Sequence, residues 1–199
     1  MDITRSLIII LITCVLTENF VLSQFLGVCP FLGVSKRVSS SLGMGLMITF
    51  VMVSAATLTY PIYFLILQPL NIEFMNTIAF VLIIALFVQF VEMLLRKYIP
   101  KLNKSLGIYL PLMTTNCAIL AVTIINISGE YNFFEAVFNA FCAGFGFLLV
   151  LLIFSGVRGR IERCDIPEAL RGMPITLITA SIVSLSFIGF GGMIEGIFG

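Results

Sequence analysis

Two cysteines, Cys29 and Cys117, occupy matching segments of the sequence. Aligned with itself at an offset of 88 residues, the difference between 117 and 29, the chain pairs FLGVCPFLGVS (25–35) with MTTNCAILAVT (113–123). No other cysteine finds a partner in this register. Two thiolates are half of a tetrathiolate metal site, and a 2Fe–2S cluster usually takes four. The pattern therefore predicts Cys29 and Cys117 as iron ligands of a cluster completed by a second, similar chain.

The residues beside these cysteines are typical of helix starts. Pro30 suits the first position of a helix, where its missing N–H costs nothing, and Thr115 and Asn116 are capping types. A cysteine at a helix start meets unpaired N–H groups and the positive end of the helix dipole, which favour a thiolate or an anionic ligand. Asn116 could donate a hydrogen bond to a cluster sulfur, although capping alone is the favoured interpretation. A packing role for both cysteines stays open.

Two carboxylates, Glu18 and Glu92, are predicted to lie within membrane depth. Buried charge there is expensive and usually functional, so either side chain could belong to an ion path. For Glu92 an i,i+4 pair with Arg96 is an equal explanation. For Glu18 the alternative is an interfacial position that caps the next helical piece.

The elements that must position these residues are membrane helices. The chain has 199 residues, of which 60% are hydrophobic and 11% charged, with a mean hydropathy of +1.16. A soluble domain carries roughly a quarter charged residues, so the composition excludes a basic nucleic-acid binder and indicates a polytopic membrane protein. We expect one membrane domain, 1–199, of six apolar spans: 6–34, 42–68, 75–95, 106–127, 133–157 and 174–194.

The predicted architecture is an all-α inverted 3+3 repeat. Three spans in each half, approximately 1–100 and 101–199, force the second half to insert with opposite orientation. Spans 1 and 4 contain proline and polar residues within apolar sequence, which predicts broken or half helices. Of 11 basic residues, all but Arg5 fall in the loops after spans 1, 3 and 5, and the last of these loops, Arg158–Arg171, is expected to be solvated or to dock a cytoplasmic subunit. The positive-inside rule then places both termini on the outer side.

The segments around the two cysteines resemble the Rnf/Nqr family of membrane subunits. These are ENFVLSQFLGVCPFLGVSK (18–36) and LGIYLPLMTTNCAILAV (106–122), supported by VQFVEMLLRK, DIPEALRG and ITASIVSLSFIGFGG. The family includes the A subunit of the Rnf electron-transport complex and the E subunit of the sodium-pumping NADH:quinone reductase. The forms CPFLGVSK, MGMGLMITFVM and QPLNIEF resemble the Rnf branch more, because Nqr members tend to have Thr where Pro30 stands.

The resemblance implies a component of an ion-translocating ferredoxin:NAD oxidoreductase (Rnf) complex in the bacterial cytoplasmic (inner) membrane. It implies electron relay through a 2Fe–2S cluster with two cysteines from this chain, Cys29 and Cys117, and two from a homologous six-span protein, the Rnf E-type subunit. It also implies other Rnf subunits as partners and coupling to Na⁺ or H⁺ movement. We expect no activity from the chain alone, no covalently bound flavin and no nucleic-acid partner.

Three other interpretations remain at this stage. A small secondary transporter would also have inverted repeats with broken helices near the midplane. An Nqr E-type subunit would share the fold and the cysteines. A structural scaffold would use the cysteines only for packing.

Overall fold

A computed structural model describes residues 19, 22–35, 38–67, 76–98, 116–129, 131–161 and 163–198. Within these ranges all regular secondary structure is helical, which confirms the all-α prediction. A π-helical turn, Tyr63–Leu67, extends the second helix, and a 3₁₀ turn, Glu168–Leu170, precedes the last. The α-helices are α1 Val28–Val34, α2 Val38–Ile62, α3 Asn76–Tyr98, α4 Cys117–Ser128, α5 Phe133–Ile161 and α6 Met173–Phe198.

Three helical stretches are long and apolar enough to cross a membrane: Val38–Leu65, Thr77–Leu94 and Phe133–Ile161. They correspond to the second, third and fifth predicted spans. Cys117–Ser128 and Met173–Gly189 are shorter apolar helices. With 12 residues, α4 is about 18 Å long at 1.5 Å per residue, well short of a hydrocarbon core of about 30 Å.

Helices α2 and α5 pack tightly through small residues. A Cβ atom on Gly45 of α2 would collide with Leu148 of α5, and one on Gly144 of α5 would lie 2.8 Å from the Cα of Thr49. Position 45 therefore faces 148 while 49 faces 144, so the two helices run antiparallel at this crossing. Close approach through glycine is the usual device where packing rather than hydrophobicity joins helices in lipid. Gly45 and Gly144 are thus packing residues.

The described residues before α1, 19 and 22–27, are non-helical, and Asn19, Leu22 and Gly27 among them are buried. The Asn19 side chain is 2% exposed, and its Nδ2 donates to the backbone oxygen of Gly146 at 3.0 Å. On the other side, the Ser184 hydroxyl donates to the backbone oxygen of Leu22. Irregular backbone at membrane depth is tolerated where protein satisfies it. Here α6 satisfies the backbone oxygen of Leu22, and α5 accepts from the side chain of Asn19.

Helix α3 presents one face to the bundle and the opposite face outward. Phe80, Ile84 and Val88 are buried at a spacing of four residues. Exposed apolar side chains alternate with them on the outer face, as expected for contact with lipid or a neighbouring protein: Ile78, Val81, Leu82, Leu86, Phe90, Met93 and Leu94.

Candidate functional site

Cys29 is the second residue of α1, so the predicted helix start is confirmed. The N-cap is Gly27, with φ +80° and ψ +24°, a left-handed conformation that glycine adopts without steric cost. Pro30 is the third helical residue rather than the first, still within the turn whose N–H groups have no intrahelical partner. Cys29 is exposed, whereas Pro30 and Phe31 beside it are buried.

Cys117 is the first residue of α4 and is also exposed. Asn116 precedes it in an extended conformation, and its Oδ1 accepts a hydrogen bond from the backbone N–H of Ala118 at 3.0 Å. The predicted capping role is therefore confirmed. Asn116 is only 6% exposed, and its Nδ2 has no hydrogen-bond partner in the described part of the chain.

The starts of α1 and α4 are in direct contact. A Cβ atom built on Gly27 would lie 3.1 Å from Oδ1 of Asn116 and 3.3 Å from Cβ of Ala118. It would also lie 2.9 Å from Cε2 of Phe147, closer than real Cβ contacts allow. Position 27 thus needs glycine for two reasons, its positive φ and this close approach. The structure brings together the caps of the two cysteine-bearing helices.

The two helices leave this junction toward opposite ends of α5. Phe147, against which the junction packs, is the middle residue of the Phe133–Ile161 helix. Helix α1 ends near the C-terminal turn of α5, where Nη1 of Arg158 donates to the backbone oxygen of Leu32 at 2.9 Å. Helix α4 ends near the N-terminal turns of α5, where Nδ2 of Asn126 donates to the backbone oxygen of Ala136 at 3.1 Å.

Exposure separates these cysteines from one that packs. Cys142 in α5 is 2% exposed and lies against Phe138, as a packing cysteine should. Cys29 borders an open cavity of about 610 Å³ lined by Leu32, Gly33, Arg158, Gly172 and Met173. Cys29 and Cys117 are therefore not buried within this chain as Cys142 is.

The donor set of the described residues matches half of a cluster site. Across these ranges there is no group of three or more Cys, His, Asp or Glu side chains that could hold a metal ion. At the junction, the starts of two helices contact each other, and each helix start carries one exposed thiol. A buried amide donor, Asn116, stands beside the thiol of Cys117. Two thiols and a hydrogen-bond donor suit iron–sulfur ligation shared with a partner chain.

The two candidate ion-path carboxylates are not part of this junction as described. Glu92 is half-buried in the last two turns of α3. Glu18 lies outside the described residues, as does the side chain of Arg96, the alternative partner of Glu92. Roles for both glutamates stay predictions.

Arg158 does not lie in a solvated or docking loop, so the expectation for the basic residues after span 5 is wrong at this position. Helix α5 continues to Ile161, and the half-buried Arg158 also donates to Oγ of Ser35, at 2.7 Å. A cation at the carboxyl end of α1 satisfies backbone oxygens that lack helical partners. No local motif identifies this contact, because the groups lie 126 and 123 residues apart in sequence.

Comparisons with known proteins find relatives along nearly the whole chain. A sequence model described as "Rnf-Nqr subunit, membrane protein" matches residues 7–194. The chain is 52% identical, over 94% of its length and 98% of the relative's, to the A subunit of the Na(+)-translocating ferredoxin:NAD(+) oxidoreductase complex of Acetobacterium woodii. It is 50% identical to the A subunit of the ion-translocating oxidoreductase complex of Syntrophotalea carbinolica, over 96% of this chain and 100% of the relative. The protein of the same name from Aliivibrio salmonicida is 48% identical, over 94% and 97%.

Proposed function

The chain belongs to the Rnf-Nqr family of membrane subunits, and from that premise we propose that it acts as the A subunit of an ion-translocating ferredoxin:NAD oxidoreductase complex. Its role there is to relay electrons through the membrane layer of the complex. The support is the near full-length similarity to relatives of that name, together with the described pair of cysteines. The names of these relatives describe subunits of a complex, so the chain has this role within an assembly.

Cys29 and Cys117 are the iron ligands that this chain contributes to a 2Fe–2S cluster. The observation that carries this assignment is the contact between Gly27 and Asn116, which joins the helix starts bearing the two cysteines. When bound, such a cluster accepts and passes on one electron at a time. The remaining two thiolates come from a homologous six-span partner of the Rnf E type, because four cysteines are the usual ligand set.

The proposed architecture is six spans arranged as an inverted repeat, with halves of approximately 1–100 and 101–199. The antiparallel packing of α2 against α5 supports it, since these helices occupy equivalent places after the two cysteine helices. The opposite courses of α1 and α4 from the middle of α5 support it as well. Such an arrangement brings equivalent positions together near the bilayer midplane.

The protein resides in the bacterial cytoplasmic membrane with both termini on the outer side. The contact of Arg158 with Leu32 and Ser35 keeps the first and fifth loops on one face, in agreement with the basic residues that both loops carry. Electron relay is coupled to movement of Na⁺ or H⁺, and Glu18 and Glu92 are the candidate carboxylates of the ion path.

A secondary transporter is the second candidate. The meeting of two helix starts at the middle of α5 supports transport as much as it supports electron relay. An Nqr E-type subunit differs from the first proposal in the electron donor and acceptor of its complex, which are NADH and quinone in place of ferredoxin and NAD. The two exposed cysteines favour either electron-transfer subunit over the transporter, because a transporter requires no iron ligands.

The test is to purify the complex with its membrane partners and record electron paramagnetic resonance and iron content for Cys29→Ser and Cys117→Ser. Cys142→Ser and Cys164→Ser are matched controls, one buried and one exposed away from the junction. We expect loss of one 2Fe–2S signal in the first two variants and its retention in both controls. Survival of every 2Fe–2S signal in both Cys29→Ser and Cys117→Ser would overturn the ligand assignment. Substrate binding by an iron-free chain would favour the transporter.

A further inference from the structure

We propose that Asn116 performs two tasks at once: its Oδ1 caps α4 while its Nδ2 donates a hydrogen bond to a sulfur atom of the cluster and raises the cluster's reduction potential. This inference rests on the proposed function, since it requires the cluster on Cys29 and Cys117. Asn116 is in this sense a positioning residue and does not itself bind iron.

The cap fixes which end of the amide remains available. Because Oδ1 accepts from the backbone N–H of Ala118 at 3.0 Å, the other end of the side chain is the NH₂ group. That nitrogen is fully enclosed and has no hydrogen-bond partner in the described ranges. A buried donor without an acceptor is costly, so an acceptor is expected at this point when the assembly is complete.

Asn116 is the exception among the buried asparagines of the described chain. Nδ2 of Asn19 donates to Gly146, that of Asn126 donates to Ala136, and that of Asn139 donates to Oδ1 of Asn126 at 2.7 Å. Within the described residues the bundle therefore satisfies its buried amides from its own atoms, except beside Cys117. Asn116 is thus the one buried asparagine of the described ranges with an unpaired amide nitrogen, and we assign its acceptor to a group bound at the junction.

The position of the unpaired donor indicates which group it is. Asn116 is adjacent in sequence to Cys117, and its side chain contacts Gly27, two residues before Cys29. The amide group of Asn116 thus lies where the two ligand-bearing helices meet. Bridging sulfides and cysteine thiolates are anionic acceptors, and hydrogen bonds to them favour the reduced cluster, which carries more negative charge.

The experiment measures the midpoint potential of the cluster in the purified complex for Asn116→Thr and Asn116→Asp. Threonine and aspartate both retain an oxygen that can cap α4, and neither places an N–H group at the Nδ2 position. The neutral threonine separates loss of the donor from addition of charge. Asn126→Thr is the matched control, because it removes a buried amide from the other end of the same helix. A second readout is pulsed resonance of complex labelled with ¹⁵N-asparagine, which detects an amide nitrogen bonded to the reduced cluster.

We expect Asn116→Thr to lower the equilibrium constant for one-electron reduction about tenfold, which corresponds to about 59 mV, and to abolish the ¹⁵N coupling. Asn126→Thr should change neither quantity. An unchanged potential and coupling in Asn116→Thr, with the cluster present and still lost in Cys117→Ser, would overturn the inference and leave the ligand assignment intact. A 2Fe–2S signal independent of both cysteines would instead overturn the proposed function.

Discussion

Replacing Gly27 with alanine tests the contact between the two helix starts most directly. The added methyl group meets two separate penalties. At φ +80° an alanine adopts the left-handed conformation at a cost of about 1–2 kcal/mol. Its Cβ would also lie 2.9 Å from Cε2 of Phe147 and 3.1 Å from Oδ1 of Asn116. Overpacking of this kind costs about 1–3 kcal/mol, so the combined destabilisation is about 2–5 kcal/mol.

Two other glycines of the chain separate these penalties. Gly172 has φ +100°, and no atom of the described chain lies within 4 Å of the place that a methyl carbon would take there. Gly172→Ala should therefore cost only the conformational part, about 1–2 kcal/mol. Gly156 lies in open space within α5, so Gly156→Ala should be neutral or stabilise the helix by about 0.5–1 kcal/mol.

The assay is thermal unfolding of the purified chain in detergent, followed by circular dichroism, together with the iron content of the assembled complex. For a chain of this length a change of 1 kcal/mol shifts the midpoint by about 2–4 °C. The midpoint of thermal unfolding should be highest for Gly156→Ala, lower for Gly172→Ala and lowest for Gly27→Ala. Iron should be lost only from the complex that carries Gly27→Ala. Equal midpoints for Gly27→Ala and Gly172→Ala would refute the close approach of α1 to α4.

Three further substitutions probe the packing around the junction. Gly144→Ala should destabilise the chain by about 1–3 kcal/mol in thermal unfolding, because the new methyl group meets the backbone of Thr49, which cannot rotate away. Arg158→Gln should cost about 1–3 kcal/mol and increase proteolysis around α1, since backbone and hydroxyl oxygens there lose their charged donor; unchanged cleavage would argue against this anchor. Asn139→Ala should cost about 1–3 kcal/mol by the same unfolding measurement, because Oδ1 of Asn126 loses a buried donor, and a midpoint equal to wild type would contradict the amide pair.

The features that can be predicted from sequence depend on neighbours along the chain. The uninterrupted apolar runs predict α3 and α5 within a few residues of their observed ends. The start of α4 is equally local, because an asparagine before an apolar stretch is a recognised cap. The repeat register also places both cysteines at equivalent points of their helices, one residue apart in helical position.

The features that cannot be predicted depend on groups far apart in sequence. Nothing in the residues around Gly27 indicates that Asn116 and Phe147 lie against it, because that contact forms only when three helices are assembled. The anchoring contact of Arg158 escapes prediction for the same reason. The unpaired Nδ2 of Asn116 depends on the packing of several helices, since it emerges only when the acceptors of the described residues are compared with it.

The position of Phe147, midway along the 29-residue helix α5, has an electrical consequence. An electron that enters from either face and reaches a redox centre at the depth of Phe147 would cross about half of the transmembrane voltage. Moving one elementary charge through the full voltage is worth about 2.3 kcal/mol per 100 mV, so half is worth about 1.2 kcal/mol. The fraction of reduced centres at this depth would therefore depend on the membrane voltage. As the voltage grows, reduction from one face would become more favourable and reduction from the other face less favourable.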